Sequence, residues 1–382
     1  MLTNSELKAQ LSADFSQLAQ QKNKLGRSFL LVHSDKLDFH LELAQGTDET
    51  HIDDCHQPVH LASVGKLFTS VLIGLLVEER LLRFDDPVSL YLDSELCESL
   101  EHLAATQPSY NISNLRFSDQ LTVRHLLMQT SGLPDVFFPL MEKLKAGELY
   151  DPTATSSVAI SPREAILWGC EHLKYQSALG TKHVYTDTNY YLLGLIIEQA
   201  TGMTFQQAIQ QWIFAPLAMD HAWLHGLSKP SKSCYQPANL YIDEQDFLAI
   251  KGSHLLDYAG GSVIAPLPEY LTFMQSLVNG KLLNSTIVDQ MVSDDIAMGF
   301  PALGFRYGYG VWKTRPIPLL LPKNHYCWGC VGVTGAFMFY HPQTETYIIG
   351  TFNNNKYREK ALRFVIGNVI KKLLVLNQTL NN

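Results

Sequence analysis

The 382-residue sequence predicts an α/β fold of the α+β type: an antiparallel sheet built from the two chain ends, flanked by helices, with a mainly helical region inserted between. Three observations carry this. Short alternating apolar runs cluster near residues 29–43 and again near 335–353. Apolar residues at helical spacing dominate the stretch between. An amphipathic helix lies near each end of the chain, placed to pack on the sheet. The expected division of this single catalytic unit is a sheet part at about 1–60 plus 280–382 and a helical part at about 67–260. The active site is expected between them.

Taken in order, Leu7, Leu11, Phe15 and Leu18 mark the first helix. Phe29 to His33 is an apolar strand, Ser34-Asp35-Lys36 a turn, and Phe39, Leu41 and Leu43 alternate as in a half-buried strand, which together read as a hairpin. His51 to His56 carries five side chains of metal-ligand type, His51, Asp53, Asp54, Cys55 and His56. It lacks the second cluster that zinc sites draw on, so it reads as a polar loop. Leu67, Phe68, Val71, Leu72, Leu75 and Leu76 form a buried helix stopped near Asp86-Pro87. Leu121 to Leu127 opens another helix with Thr122 as N-cap and His125 as a structural histidine, ending at Ser131-Gly-Leu-Pro-Asp135. Residues 160–220 are mainly helical: Tyr190 to Ala200 ends near Gly202, and Thr204-Phe-Gln-Gln207 is a capping box whose helix ends before Pro216. Ala259-Gly-Gly-Ser262 is a segment able to take positive φ, before a helix from about Pro266 to Val278. Gly335 to Tyr340 and Thr346 to Asn353 flank His341-Pro-Gln-Thr344 as strand, turn and strand. Leu362, Ile366, Val369, Ile370 and Leu373 mark the last helix.

Chemistry concentrates at Ser63-Val-Gly-Lys66, where a short extended run meets the buried helix. Serine and lysine three apart share a helix face, so the amine can reach the hydroxyl. The helix N-terminus adds free N–H groups and partial positive charge. A serine hydroxyl is a weak nucleophile until something takes its proton, and this geometry offers a partner. Taken alone, so short a pattern reads more readily as an N-cap serine followed by a surface lysine.

Composition narrows the classes. A net charge of −8 opposes a nucleic-acid surface, and 46% hydrophobic residues support a substantial core. No apolar run reaches the roughly 18 residues of a membrane helix. The start has no signal-peptide order, which points to a cytoplasmic protein, or to a periplasmic or secreted one if a leader was removed. Six cysteines in a chain of this length are no disulfide framework. Cys327-Trp-Gly-Cys330 is a C-x-x-C, but it precedes a strand and does not open a helix, so a redox or metal role is not expected of it.

Several separated stretches resemble one superfamily: His60-Leu-Ala-Ser-Val-Gly-Lys-Leu-Phe-Thr69, Phe84-Asp-Asp-Pro-Val88, Leu121-Thr-Val-Arg-His-Leu-Leu127 through Thr130-Ser-Gly-Leu-Pro134, Tyr185-Thr-Asp-Thr-Asn-Tyr190 with Leu192-Leu-Gly194, Gly260-Gly261, and Gly329 to Phe337. In that order they resemble the serine β-lactamases and penicillin-binding-protein-like hydrolases, and most of all the branch of class C β-lactamases, D-Ala-D-Ala carboxypeptidases and esterases. The resemblance implies a five-stranded antiparallel sheet with helices on both faces and a helical domain. It makes Ser63 the acylated nucleophile and Lys66 its proton partner. Tyr185-Thr-Asp187 is similar to the family's Tyr-x-Asn motif, with Tyr185 as general base. That role needs a phenol pKa well below about 10, which a neighbouring Lys⁺ favours. Asp187 stands where β-lactamases carry Asn. It can accept from Lys66 but cannot donate to a substrate carbonyl unless protonated.

The family's third motif, Lys-Thr-Gly or His-x-Gly, is replaced here. The preferred register puts Cys330, Val331 and Gly332 there, because Thr334-Gly-Ala-Phe337 then matches the family's next residues; the other uses Val333-Thr-Gly335. Neither supplies a cation, and Cys330 and Val331 cannot bind a substrate carboxylate. The implied oxyanion hole uses the backbone N–H groups of Ser63 and Val333, which side-chain changes leave intact. No metal or cofactor is implied. The expected function is acyl-enzyme hydrolysis of a small ester, amide, peptide or lactam, with neutral esters preferred. β-Lactamase or D-alanyl-D-alanine carboxypeptidase activity, and a non-catalytic binding protein that retains the fold, are the alternatives. Oligomeric state is not legible.

Overall fold

The computed structural model describes residues 2–21, 24–46, 54–107, 115–149, 160–300, 302, 304–317 and 321–380. The first hairpin forms as its alternation requires: β1 (Ser28–Ser34) pairs antiparallel with β2 (Phe39–Gln45), Leu30 opposite Leu43 and Val32 opposite Leu41. A small second sheet joins β3 (Val59–His60) and β4 (Trp223–Leu224), with a hairpin of β5 (Tyr241–Ile242) and β6 (Gln245–Asp246) beside it in sequence. The strand joining β3 to β4 is β7 (Val263–Ala265), between them in the sheet. The chain then returns to the main sheet through β8 (Ile296–Ala297), β9 (Phe305–Tyr307), β10 (Trp312–Thr314), β11 (Trp328–Gly332), β12 (Ala336–His341) and β13 (Thr346–Thr351). The main sheet runs β2-β1-β13-β12-β11-β10-β9-β8, antiparallel throughout.

The sheet therefore comes from both chain ends. It is wider than the five strands implied by resemblance: β2, β1, β13, β12 and β11 are the long ones, and three strands of two or three residues extend the edge. β1 and β13 are buried along nearly their whole length. That requires apolar residues on both faces, because helices cover both. On one face α1 (Asn4–Ala19) buries Leu7, Leu11 and Phe15, and Phe15 meets Phe352 and Phe364 at ring distances of 5.5 and 6.0 Å. On the other, the Leu267–Val278 helix packs against β13 and β1 and stacks Phe273 on Phe68 of α2 (Gly65–Glu78), with ring centroids 3.8 Å apart. The apolar stripe of α2 is thus the link between sheet and helical region.

Two sequence expectations change in form. The last helix is Arg358–Phe364 and Ile370–Leu380 joined through a π-helical turn at Val365–Val369, which shifts the buried stripe without ending the helix. Gly260 and Gly261 are not at positive φ. The left-handed residue of that segment is Tyr258, at φ 22°. The glycines are needed for close approach instead: a Cβ on Gly260 would sit 2.7 Å from Asp187 Oδ1, and one on Gly261 3.0 Å from the Ala62 carbonyl. His51, Ile52 and Asp53 of the polar run lie outside the described residues. Of its remainder, Asp54 accepts from the His56 N–H at 2.8 Å and the Cys55 thiol is buried, 3.4 Å from the Leu43 carbonyl. Among the described residues no helix is long and apolar enough to cross a membrane.

Candidate active site

Ser63 sits in a 3₁₀ turn, Ala62–Val64, that feeds directly into α2, so it precedes the α-helix by two residues and does not open it. Ala62 is held at φ 49°, a conformation that costs an L-residue about 1–2 kcal/mol, and this tips the Ser63 side chain toward solvent while its neighbours are buried. Lys66 is fully buried on the first turn of α2. Its Nζ lies 3.3 Å from Ser63 Oγ, donates to the Gly260 carbonyl at 2.8 Å and is in direct contact with Asp187 Oδ1. The Tyr185 ring lies beside them, its centroid 5.1 Å from Lys66 Nζ, and it lines the same cavity as Ser63. The predicted serine, lysine, tyrosine and aspartate thus form one cluster.

Tyr185 and Asp187 are placed by a network that the sequence patterns did not reveal. Gln129 Oε1 accepts from the Thr186 N–H (3.0 Å) and from Asn189 Nδ2 (2.6 Å). The Thr186 and Thr188 hydroxyls both donate to the Pro134 carbonyl, at 3.0 and 2.6 Å. Asp135 Oδ1 accepts the Asp187 N–H at 2.8 Å. The Gln129–Asp135 corner therefore clasps the start of the Thr188–Thr201 helix. Gly132 allows it, at φ 75° and with no room for a Cβ against the Ser177 carbonyl. His125 is structural, its Nδ1 accepting the Thr122 N–H at 3.2 Å in a capping box.

Strand β11 forms the facing wall. Cys330 Sγ lies 3.3 Å from the Ser63 carbonyl oxygen, and a Cβ on Gly332 would be 2.4 Å from the Leu61 carbonyl. Val331, Gly332 and Val333 line a cavity of about 220 Å³ together with Ser63, Tyr185 and Asp187. Phe137, Leu240, Ile242, Phe247, Met298 and Trp312 make most of the remaining surface apolar. Cys327 and Cys330 are both free and buried.

The Beta-lactamase family profile matches residues 11–366. The chain belongs to the Beta-lactamase family. A protein of Escherichia coli K12 provisionally named a D-alanyl-D-alanine carboxypeptidase is 29% identical over 174 residues, 45% of this chain and 35% of that protein. The chain thus spans about a third of that relative's length. Two solved structures share the fold: EstCE1, a hydrolase with promiscuous acyltransferase activity, at a TM-score of 0.72 and 18% identity over 97% of this chain and 98% of the other, and a D-stereospecific amidohydrolase from Streptomyces sp., at 0.69 and 19% over 95% and 98%.

The electrostatics of this Beta-lactamase-family site depart from expectation at one point. Burial pushes the Tyr185 phenol above its ordinary value; Lys66 pulls it down, and Asp187 pushes it up again. The net direction is upward, not the downward shift a lone Lys⁺ gives. Lys66 is desolvated, yet Asp187 and Tyr185 outweigh that and hold the ammonium form well above its usual range. Asp187 thus takes up much of the positive charge that would otherwise act on Tyr185. The side chains of Asp135, Gln129, His60, Asp257 and Arg358 also bear on the site and were not singled out from the sequence. Several of them lie in or beside the quoted motif stretches, but the contacts of Gln129 with Thr186, Asp135 with Asp187 and His60 with Asp257 join segments 50 or more residues apart.

Asp135 supplies a stability test. Burial and the charge of Asp187 push its carboxyl up to about 7. A carboxyl raised in the folded state contributes stability that is full below its unfolded value near 4 and is lost as pH rises through about 7. Asp135→Asn keeps an acceptor for the Asp187 N–H and removes the charge. The gap in Tm between variant and wild type should therefore widen in the variant's favour from pH 4 to 8. After discounting for partial exposure, the gain is about 1–2 kcal/mol. A pH-independent gap in thermal melts would refute the assignment.

Proposed function

We propose that the chain is a serine hydrolase working through an acyl-enzyme on an ester or amide. The observation that carries this is the cluster of Ser63, Lys66 and Tyr185, with Lys66 Nζ 3.3 Å from Ser63 Oγ and 5.1 Å from the Tyr185 ring centroid, beside an apolar cavity. Ser63 Oγ attacks the carbonyl carbon and its proton passes into the Tyr185–Lys66 pair. The backbone N–H groups of Ser63 and Val333 are assigned to the oxyanion. The pair returns the proton to the leaving group, and water then releases the acid. Family membership and the names of the relatives fit this reading, and a binding protein would have no use for a lysine buried at such cost beside a serine. Brief exposure to p-nitrophenyl acetate, acid quench and intact-mass measurement should show one added acetyl group on the peptide containing Ser63. No added mass on any timescale would favour the non-catalytic alternative.

The cavity wall favours neutral, apolar acyl groups. β11 brings no cation, but Arg358, at the start of the C-terminal helix, lines the cavity from its exposed rim. Carboxylate-bearing substrates, a cephalosporin or a peptide ending in D-alanine, therefore have one partner, worth about 1 kcal/mol at an exposed position. Arg358→Ala should lower kcat/KM for a cephalosporin roughly fivefold and leave that for a neutral ester within about twofold. Equal loss on both substrates would show that Arg358 holds structure and not a carboxylate.

A further inference from the structure

One buried pair at the cavity lies outside the catalytic set. His60, 1% exposed, places Nε2 2.5 Å from Asp257 Oδ2, while its Nδ1 faces the Ala62 N–H at 3.0 Å. A backbone N–H only donates, so Nδ1 must be the bare nitrogen and the ring proton must sit on Nε2, donating to Asp257. Ala62 is the left-handed residue immediately before Ser63. Asp257 itself precedes Tyr258, the other left-handed residue of this region. The segment after it reaches the catalytic set from a second side: the Gly260 carbonyl accepts from Lys66 Nζ at 2.8 Å, and the Ala259 carbonyl from the Thr69 hydroxyl of α2 at 2.7 Å.

We propose that His60 and Asp257 are a positioning pair, in which Asp257 fixes the Nε2–H tautomer of His60 so that Nδ1 holds the Ala62 N–H and sets the angle at which Ser63 faces the substrate. This rests on Ser63 being the nucleophile. The pair ties the nucleophile turn to the same segment that anchors Lys66, so serine and lysine are fixed against one frame. His225 completes the surroundings, its Nδ1 3.5 Å from Asp257 Oδ2 and otherwise without a hydrogen-bond partner. Its two histidine neighbours, through their ring N–H groups, hold the Asp257 carboxyl well below the ordinary range despite its burial. The ligand atoms of His60, His225 and Asp257 lie within 4.8 Å of one another, close enough to suggest a metal. The tautomer opposes it. A metal on Nε2 would leave the ring proton on Nδ1, pointing at the Ala62 N–H, and two donors would then face each other.

The test compares two variants. His60→Phe keeps a ring and loses both hydrogen bonds. His60→Asn places an amide oxygen where Nδ1 was and keeps the acceptor for Ala62. Pre-steady-state acetylation by p-nitrophenyl acetate should slow about tenfold or more in His60→Phe with KM within about twofold, and His60→Asn should recover most of the rate. Long-range ¹H–¹⁵N correlation of the histidine rings in the wild-type protein should show His60 protonated at Nε2 and bare at Nδ1. That reading needs neither turnover nor a folded variant, so it stands if His60→Phe misfolds. A wild type never acylated at Ser63 would defeat the nucleophile reading, while the tautomer would still report on the pair. Wild-type rates in a folded His60→Phe, a His60→Asn as slow as His60→Phe, a proton on Nδ1, or one equivalent of zinc bound by the wild type and lost in His60→Phe would each overturn the proposal.

Discussion

In Ser63→Ala, covalent labelling by a fluorophosphonate should disappear and kcat for an activated ester should fall by at least about 10³-fold, with the fold retained. The size comes from what the change removes. In the proposed reading Ser63 Oγ is the atom to be acylated, and without it the cavity can only bind substrate near water. The fold survives because little else depends on the hydroxyl: Lys66 keeps Asp187 and the Gly260 carbonyl, and the turn keeps its backbone bond from the Val64 N–H to the Leu61 carbonyl at 3.1 Å. The nearest competing nucleophile is the Cys330 thiol, which touches the Ser63 carbonyl. Burial pushes that thiol up to about 12, so thiolate is scarce at neutral pH and cannot inherit the reaction. Labelling that persists in Ser63→Ala, mapped to any residue by peptide mass, would end the assignment.

What could be read from the sequence was whatever local pattern specifies. Helical spacing placed α2, and alternation placed β1, β2, β12 and β13, because a face must be buried and the period of side chains fixes which residues do it. The short strands β8, β9 and β10 carry two or three residues each, too few for alternation to register, and so the sheet is wider than expected. The site divides in the same way. Ser63 and Lys66 are three residues apart, and their proximity is a property of a helical turn. Asp135 reaches Asp187 across 52 residues and His60 reaches Asp257 across 197, through folded contacts that no periodicity encodes. The glycines at 260 and 261 signalled an unusual backbone, but the sequence could not distinguish positive φ from close approach. The sign of the Tyr185 shift was missed for a related reason: the lysine was visible, whereas its neutralisation by Asp187 and the depth of burial belong to the folded protein.

Tyr185→Phe and Lys66→Ala should each lower kcat by roughly 10²-fold or more with little change in KM, since both act on the proton and neither on the acyl group. The replacement of the family's Asn by Asp187 then makes a sharper test of which residue is the base. If the active form carries a Tyr185 phenolate, activity rises with pH through that ionisation, and a negative charge nearby moves the rise upward. Asp187→Asn removes that charge, so Lys66 acts on Tyr185 unopposed and the acidic limb of kcat/KM should move to lower pH. Two unit charges a few ångströms apart at an effective dielectric near 20 interact by about 2–4 kcal/mol, or roughly two to three pKa units. The expected displacement is of that order, and Tyr185→Phe should abolish the limb altogether. If Lys66 were instead the base, shedding its proton to Asp187, the same substitution would remove the acceptor and activity would fall at every pH without a displaced limb. A pH profile of Asp187→Asn that keeps the wild-type limb and loses amplitude would therefore take the base role from Tyr185 and give it to Lys66.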